Sequence, residues 1–188
     1  GIPGIAAALA AVISAGGSRE FDSLFDRLTD DLFCYTEKCL ESKQTARSGQ
    51  TGMFAGEGSV VYAYLLLYRL TGRRQYLDYA DRHVRIVRAA EEQDTSYDLL
   101  SGNAGWIVVL LKLYQETKEE AYLSYAVRAG ELLWEKRTVM ETGCGWLCAS
   151  EKAPLAGMAH GNSGAVLAYA RLMKYTKAPE YAGRLQQI

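Results

Sequence analysis

Residues 102–133 read "GNAGWIVVLLKLYQETKEEAYLSYAVRAGELL", and this stretch decides the fold. Its first part, "GWIVVLLKLY", is apolar almost all round. A helix with no polar face belongs in an interior. A charged break, "TKEE", follows, with the threonine expected as stop and cap. A second helix then mixes apolar and charged residues, so the unit reads as a helical hairpin with one buried and one half-solvated arm.

The same unit recurs outward in both directions. "GNSGAVLAYARLMKYTKAPEYAGRL", from Gly161, sets Gly164 on Gly105 and Tyr181 on Tyr122, an offset of 59. "GEGSVVYAYLLLYRLTGRRQYLDYADRHV", from Gly56, sets Leu67-Tyr68 on Leu113-Tyr114 and Tyr76 on Tyr122, an offset of 46. The N-terminal "GIPGIAAALAAVISAGGSREFDSLFDRL" joins at an offset of 55, with Phe21 under Tyr76. In its second helix Phe21, Leu24, Phe25, Leu28, Leu32 and Tyr35 step by three and four with charges between them. Four units, about 1–45, 52–95, 98–140 and 157–188, fill the chain. Repeated hairpins stack into an open solenoid or close into a ring. Glycines at the start of each inner helix suit a tapered barrel, by letting helices crowd at one end. The fold class expected is all-α, an α/α toroid.

Composition narrows the task. The 188 residues carry a net charge of −1, with 23% charged and 49% apolar residues, the balance of a soluble globular chain. No basic patch points to nucleic acid, and no polybasic run points to a membrane surface. The opening "GIPGIAAALAAVISAGG" lacks a cationic lead and is too short to span a bilayer. Four cysteines, Cys34, Cys39, Cys144 and Cys148, imply no disulfide framework, so a reducing, cytoplasmic setting is expected. The chain opens without methionine in an apolar segment and stops inside a helical pattern, which reads as a fragment.

The stretches "GIPGIAAAL", "TGMFAGEGSVVYAYLLLYRLTG", "YDLLSGNAGWIVVLLKLY" and "PLAGMAHGNSGAVLAYARL" together resemble the cyclase domain of the lanthipeptide synthetases, and most of all the class II enzymes that also dehydrate Ser and Thr. The resemblance covers essentially the whole chain. It implies a toroid of seven hairpins, of which about four are present. It implies an enzyme that adds peptide cysteine thiols to dehydroalanine or dehydrobutyrine, closing lanthionine and methyllanthionine rings. The partner implied is a dehydrated precursor peptide with its leader. The cofactor implied is zinc, held by two cysteines and a histidine in later hairpins. No residue up to Ile188 matches those ligands, so no metal ligand is expected here and the fragment alone is expected to be inactive. By position, His160 matches the family's active-site histidine, the proton donor to the enolate, and Asp98 its active-site aspartate.

The residues also speak without the family. Adding a thiol to an activated alkene needs a thiolate and a proton source, and histidine titrates in the right range for the second task. Asp98 and His160 each lie just ahead of an inner helix in adjacent units, so both are expected at one end of the barrel. An N-cap role for Asp98 is compatible with that. His83, in "YADRHVRIV", is expected on a solvated surface among charges. Cys144 and Cys148 lack the spacing of common zinc sites and are expected as packing or loop residues. Cys34 and Cys39 are expected in a core or an interface, and Trp146 at the cavity mouth. Gly102, Gly105, Gly161 and Gly164 lack the partners of a phosphate loop, so helix crowding is their expected role. Three other tasks compete. A toroid could bind peptides or add small thiols without closing rings. A glycosidase would need a second carboxylate opposite Asp98. A plain scaffold would give the helix mouths no role.

Overall fold

A computed structural model describes residues 1–16, 19–42, 50–147 and 151–188. Among these, eight α-helices run in chain order: α1 Ile2–Ser14, α2 Asp22–Ser42, α3 Gly58–Thr71, α4 Gln75–Ala90, α5 Asn103–Thr117, α6 Glu120–Glu135, α7 Asn162–Thr176 and α8 Glu180–Gln187. The odd-numbered helices pack side by side in the order α1, α3, α5, α7, and each is backed by the even-numbered helix that follows it. The chain is all-α, an arc of an α/α toroid with an inner and an outer layer.

The packing follows the apolar pattern. α5 sits between α3 and α7 and is buried at every residue from Asn103 to Leu111, which is why its sequence has no polar stripe. The repeat-equivalent tyrosines Tyr76, Tyr122 and Tyr181, one in each of three outer helices, are all buried. The threonines at the inner-helix ends also do one job three times. Thr71, Thr117 and Thr176 each donate to the carbonyl four residues back, at 2.7, 2.9 and 2.8 Å. Each also accepts from the backbone N–H two residues on, at 3.3, 3.2 and 3.2 Å. The next residue is left-handed each time: Gly72 at φ 72°, Lys118 at φ 63° and Lys177 at φ 61°.

Four sequence expectations change. His83 is fully buried, not solvated. It lies on the inward stripe of α4 with Tyr76, Ala80 and Val87, and its polar neighbours Asp81 and Arg82 are turned to Tyr122 and Glu37. Its Nε2 is 3.0 Å from Glu57 Oε2 and its Nδ1 3.0 Å from Thr36 Oγ1, so the ring bridges α2, α4 and the start of α3. Trp146 is also buried, not open at a cavity mouth. It stacks on Tyr169 and donates its indole N–H to Leu133 O at 2.7 Å, satisfying a carbonyl of the last turn of α6. Cys34 is exposed and Cys39 half-buried on α2, so Cys34 belongs to no core; Cys144 is buried, and Cys148 lies outside the described residues. The fourth change concerns the glycines. A Cβ at Gly102, Gly105, Gly161 or Gly164 would fall 2.1–2.6 Å from the carbonyl oxygen of Ser96, Leu99, Leu155 or Met158. These glycines make room for loop backbone folding back on the helix start, not for a second helix.

Helical periodicity does not account for one element. Between α6 and α7 the strands β1 (Thr138–Met140) and β2 (Gly143–Gly145) form an antiparallel hairpin, with Thr138 opposite Gly145. Asn162, the first residue of α7, holds it from below by donating to Cys144 O at 3.2 Å.

Candidate active site at the mouth of the inner helices

The loops that precede α3, α5 and α7 lie next to one another at one end of the arc. Main-chain bonds join them. Gly52 N–H donates to Ser101 O at 3.0 Å, Phe54 and Ala55 N–H to Leu100 O at 3.0 and 2.8 Å, and Leu100 N–H to Ala159 O at 3.1 Å. A buried set of side chains pins the first loop from beneath. Asp94 Oδ2 accepts from Thr51 N–H at 2.8 Å and from Thr51 Oγ1 at 2.6 Å, and the Asn103 side chain lies 3.0 Å from the same hydroxyl. Burial pushes the Asp94 carboxyl above its usual range, and the bonds from Thr51 and Ser96 pull part of that back. Periodicity gives no hint of Asp94, which sits in a loop; its only signal is a short acid just ahead of the next unit.

The loop stack carries Asp98 and His160. His160 Nδ1 is 2.7 Å from Asp98 Oδ2. A carboxylate can only accept, so Nδ1 bears the hydrogen and the tautomer is set. Asp98 Oδ1 accepts from Ser101 N–H at 2.7 Å and Ser101 Oγ at 3.0 Å, which fixes the carboxylate from the other side. The aspartate is nearly covered, with 10% of its side chain exposed, whereas His160 keeps 53%. The arrangement is a rigid acceptor holding a reachable imidazole.

The two residues do not occupy the same place in the repeat. The offset of 59 sets His160 on Ser101 and Asp98 on Gly157. They meet because neighbouring loops lie in contact, with the Leu100–Ala159 bond between them. The loops that meet here also carry exposed apolar side chains. Phe54 is 58% exposed and Met158 51%.

Among the described residues no group of three or more His, Cys, Asp or Glu side chains is disposed to hold a metal ion. Burial pushes the Cys144 thiol up, the opposite of what a thiolate ligand needs. The described residues therefore do not make a zinc site by themselves. No helix among them is long and apolar enough to cross a membrane.

The fold is an arc of a helical-hairpin toroid whose mouth presents an aspartate-held histidine. The family model for lanthionine synthetase C-like protein matches residues 1–188, and the chain belongs to that family. No curated protein matches it.

Proposed function

We propose that this chain is part of a lanthipeptide cyclase of the class II type, and that His160 supplies the proton that completes thioether formation. The observation that carries the reading is the 2.7 Å contact between Asp98 and an exposed His160. In the reaction a cysteine thiolate of the peptide attacks the β-carbon of dehydroalanine or dehydrobutyrine. The C–S bond forms, the alkene electrons move toward the neighbouring carbonyl, and an enolate results. With Nδ1 committed to Asp98, the proton that moves is the one on Nε2 of the protonated ring, and it goes to the α-carbon. Asp98 accepts from Nδ1 throughout and keeps the ring aimed. The ring recovers its proton from the thiol of the next substrate by way of solvent. Zinc, which the family resemblance implies for making the thiolate, would need ligands from outside the described residues. A cytoplasmic setting and a leader-bearing peptide partner belong to the same proposal.

The test is His160→Ala in the full-length protein, with a dehydrated precursor peptide and alkylation of residual thiols read by mass spectrometry. Free cysteines are expected to persist, with ring closure slowed about 10²–10⁴-fold, while dehydration is unaffected. Asp98→Asn is expected to slow closure less, since the ring stays in place but loses its fixed tautomer. Unchanged thioether yield in His160→Ala would overturn the reading.

A further inference from the structure

Below the mouth, the concave face changes character. Tyr64 on α3 is turned to the outer layer, donating to Leu32 O at 2.7 Å. Tyr62, two residues earlier and so about 200° round the helix, lies on the opposite, concave face. By the repeat offsets of 46 and 59, the concave row at that level is Tyr62, Val108 and Leu167, and the row one turn deeper is Leu66, Lys112 and Arg171. An apolar level is thus followed by a level with two cations on adjacent inner helices. A cavity of about 470 Å3 lies between α1 and α3, lined by Phe54, Tyr62 and Leu66 among others.

The cations are undercompensated. Arg69, one turn below Leu66, pairs with Glu116 at 3.0 Å. Among the described residues no carboxylate lies within ion-pair distance of Lys112 or Arg171. Lys112 rests its ammonium 5.5 Å from the centre of the Tyr62 ring. Burial, with Arg171 and Arg69 close by, lowers its proton affinity. Helix ends do not account for the pair. Both residues lie five positions before the end of their helices, beyond the last turn to which the helix dipole reaches. Three cations against one carboxylate, in a chain of net charge −1, make a cationic floor.

We propose that Lys112 and Arg171 form a subsite for acidic side chains of the peptide whose dehydrated residue lies at His160. This rests on the cyclase reading and adds to it a preference for acidic peptide sequence. The geometry sets the spacing. Ten residues of α7 separate Gly161 from Arg171, a descent of about 15 Å, which an extended peptide covers in roughly four to five residues.

The experiment uses the full-length protein and two fluorescein-labelled peptides. Each carries one dehydroalanine, and five residues away either Glu-Glu or Gln-Gln. Binding is followed by fluorescence anisotropy, so no turnover is needed. The parent protein is expected to bind the Glu-Glu peptide about tenfold more tightly at low salt, with the preference fading as salt rises. The Lys112→Gln/Arg171→Gln double variant is expected to bind both peptides alike, with its affinity for the Gln-Gln peptide unchanged as proof of folding. Equal binding of the two peptides by the parent overturns the subsite, and so does a preference that survives in the double variant. Should the double variant fail to fold, the parent's peptide preference and its salt dependence still decide. The same titration in His160→Ala separates the two claims. Rings that close without acidic preference sink the subsite alone, whereas acidic preference with undiminished ring closure in His160→Ala sinks the catalytic reading.

Discussion

Asp98 divides its two carboxylate oxygens between structure and site: Oδ1 closes the turn into α5 through Ser101, and Oδ2 holds His160. An ordinary capping aspartate therefore becomes an orienting one without losing its first task. A different acid, Glu91, shows the cost of burial without such support. It follows the last residue of α4, is nearly inaccessible, and accepts one bond from the Trp106 indole at 3.2 Å. Burial raises its carboxyl above the usual range, while Trp106, Arg88 and Arg128 pull it back in part. A carboxyl raised in the folded chain binds its proton more tightly there than in the unfolded chain. Its stabilising contribution is full below the ordinary carboxylate range and is lost as pH rises through the raised value. Glu91→Gln is expected to remove that loss while keeping an acceptor for Trp106. Urea melts from pH 4 to 8 should show the parent falling behind the variant as pH rises, and parallel curves would refute the assignment.

At the scale of elements, the inner-helix ends form a natural comparison. Gly72, Lys118 and Lys177 are repeat-equivalent, share the left-handed conformation, and make the same bond to the carbonyl four residues back, at 2.7, 2.8 and 3.0 Å. Only Gly72 adopts that geometry without a Cβ penalty. Lys118→Gly and Lys177→Gly are each expected to raise stability by about 0.5–1 kcal/mol. Denaturant unfolding would measure it, and no gain at either site would mean that the lysine side chains contribute something the backbone does not reveal. The threonine stops were legible because they recur at fixed offsets. The β1–β2 hairpin was not, since three-residue strands leave no period to read. His83 was legible in principle. It shares the inward stripe of Tyr76, Ala80 and Val87, but the charges on either side of it argued louder than the spacing.

In the molecule as a whole, the layering gives each helix a different environment. α5 is packed on both flanks and backed by α6, whereas α1 buries only Ala6 and Ala10, and α8 buries only Tyr181. Amide exchange is expected to be slowest in α5 and α3 and fastest in α1 and α8; uniform protection across the eight helices would contradict this ranking. The toroidal class could be read from the repeat because apolar periodicity and turn chemistry are local properties. The meeting of Asp98 and His160 could be anticipated only as far as "the same end", because it depends on a main-chain bond between loops about 60 residues apart. The same holds for Asp94 and Thr51, whose partnership lies wholly in the third dimension.

That loop-to-loop stitching has a consequence for how such a mouth can diversify. Neighbouring loops are held by amides and carbonyls of Gly52, Phe54, Ala55, Leu100, Ser101 and Ala159, so the three equivalent positions Ala55, Ser101 and His160 lie in or beside main-chain bonds that do not depend on their side chains. Evolution can exchange residues there cheaply, trying a methyl, a hydroxyl or an imidazole on an unchanged chassis. A reactive group then needs only one well-placed neighbour, such as Asp98, to become a tool.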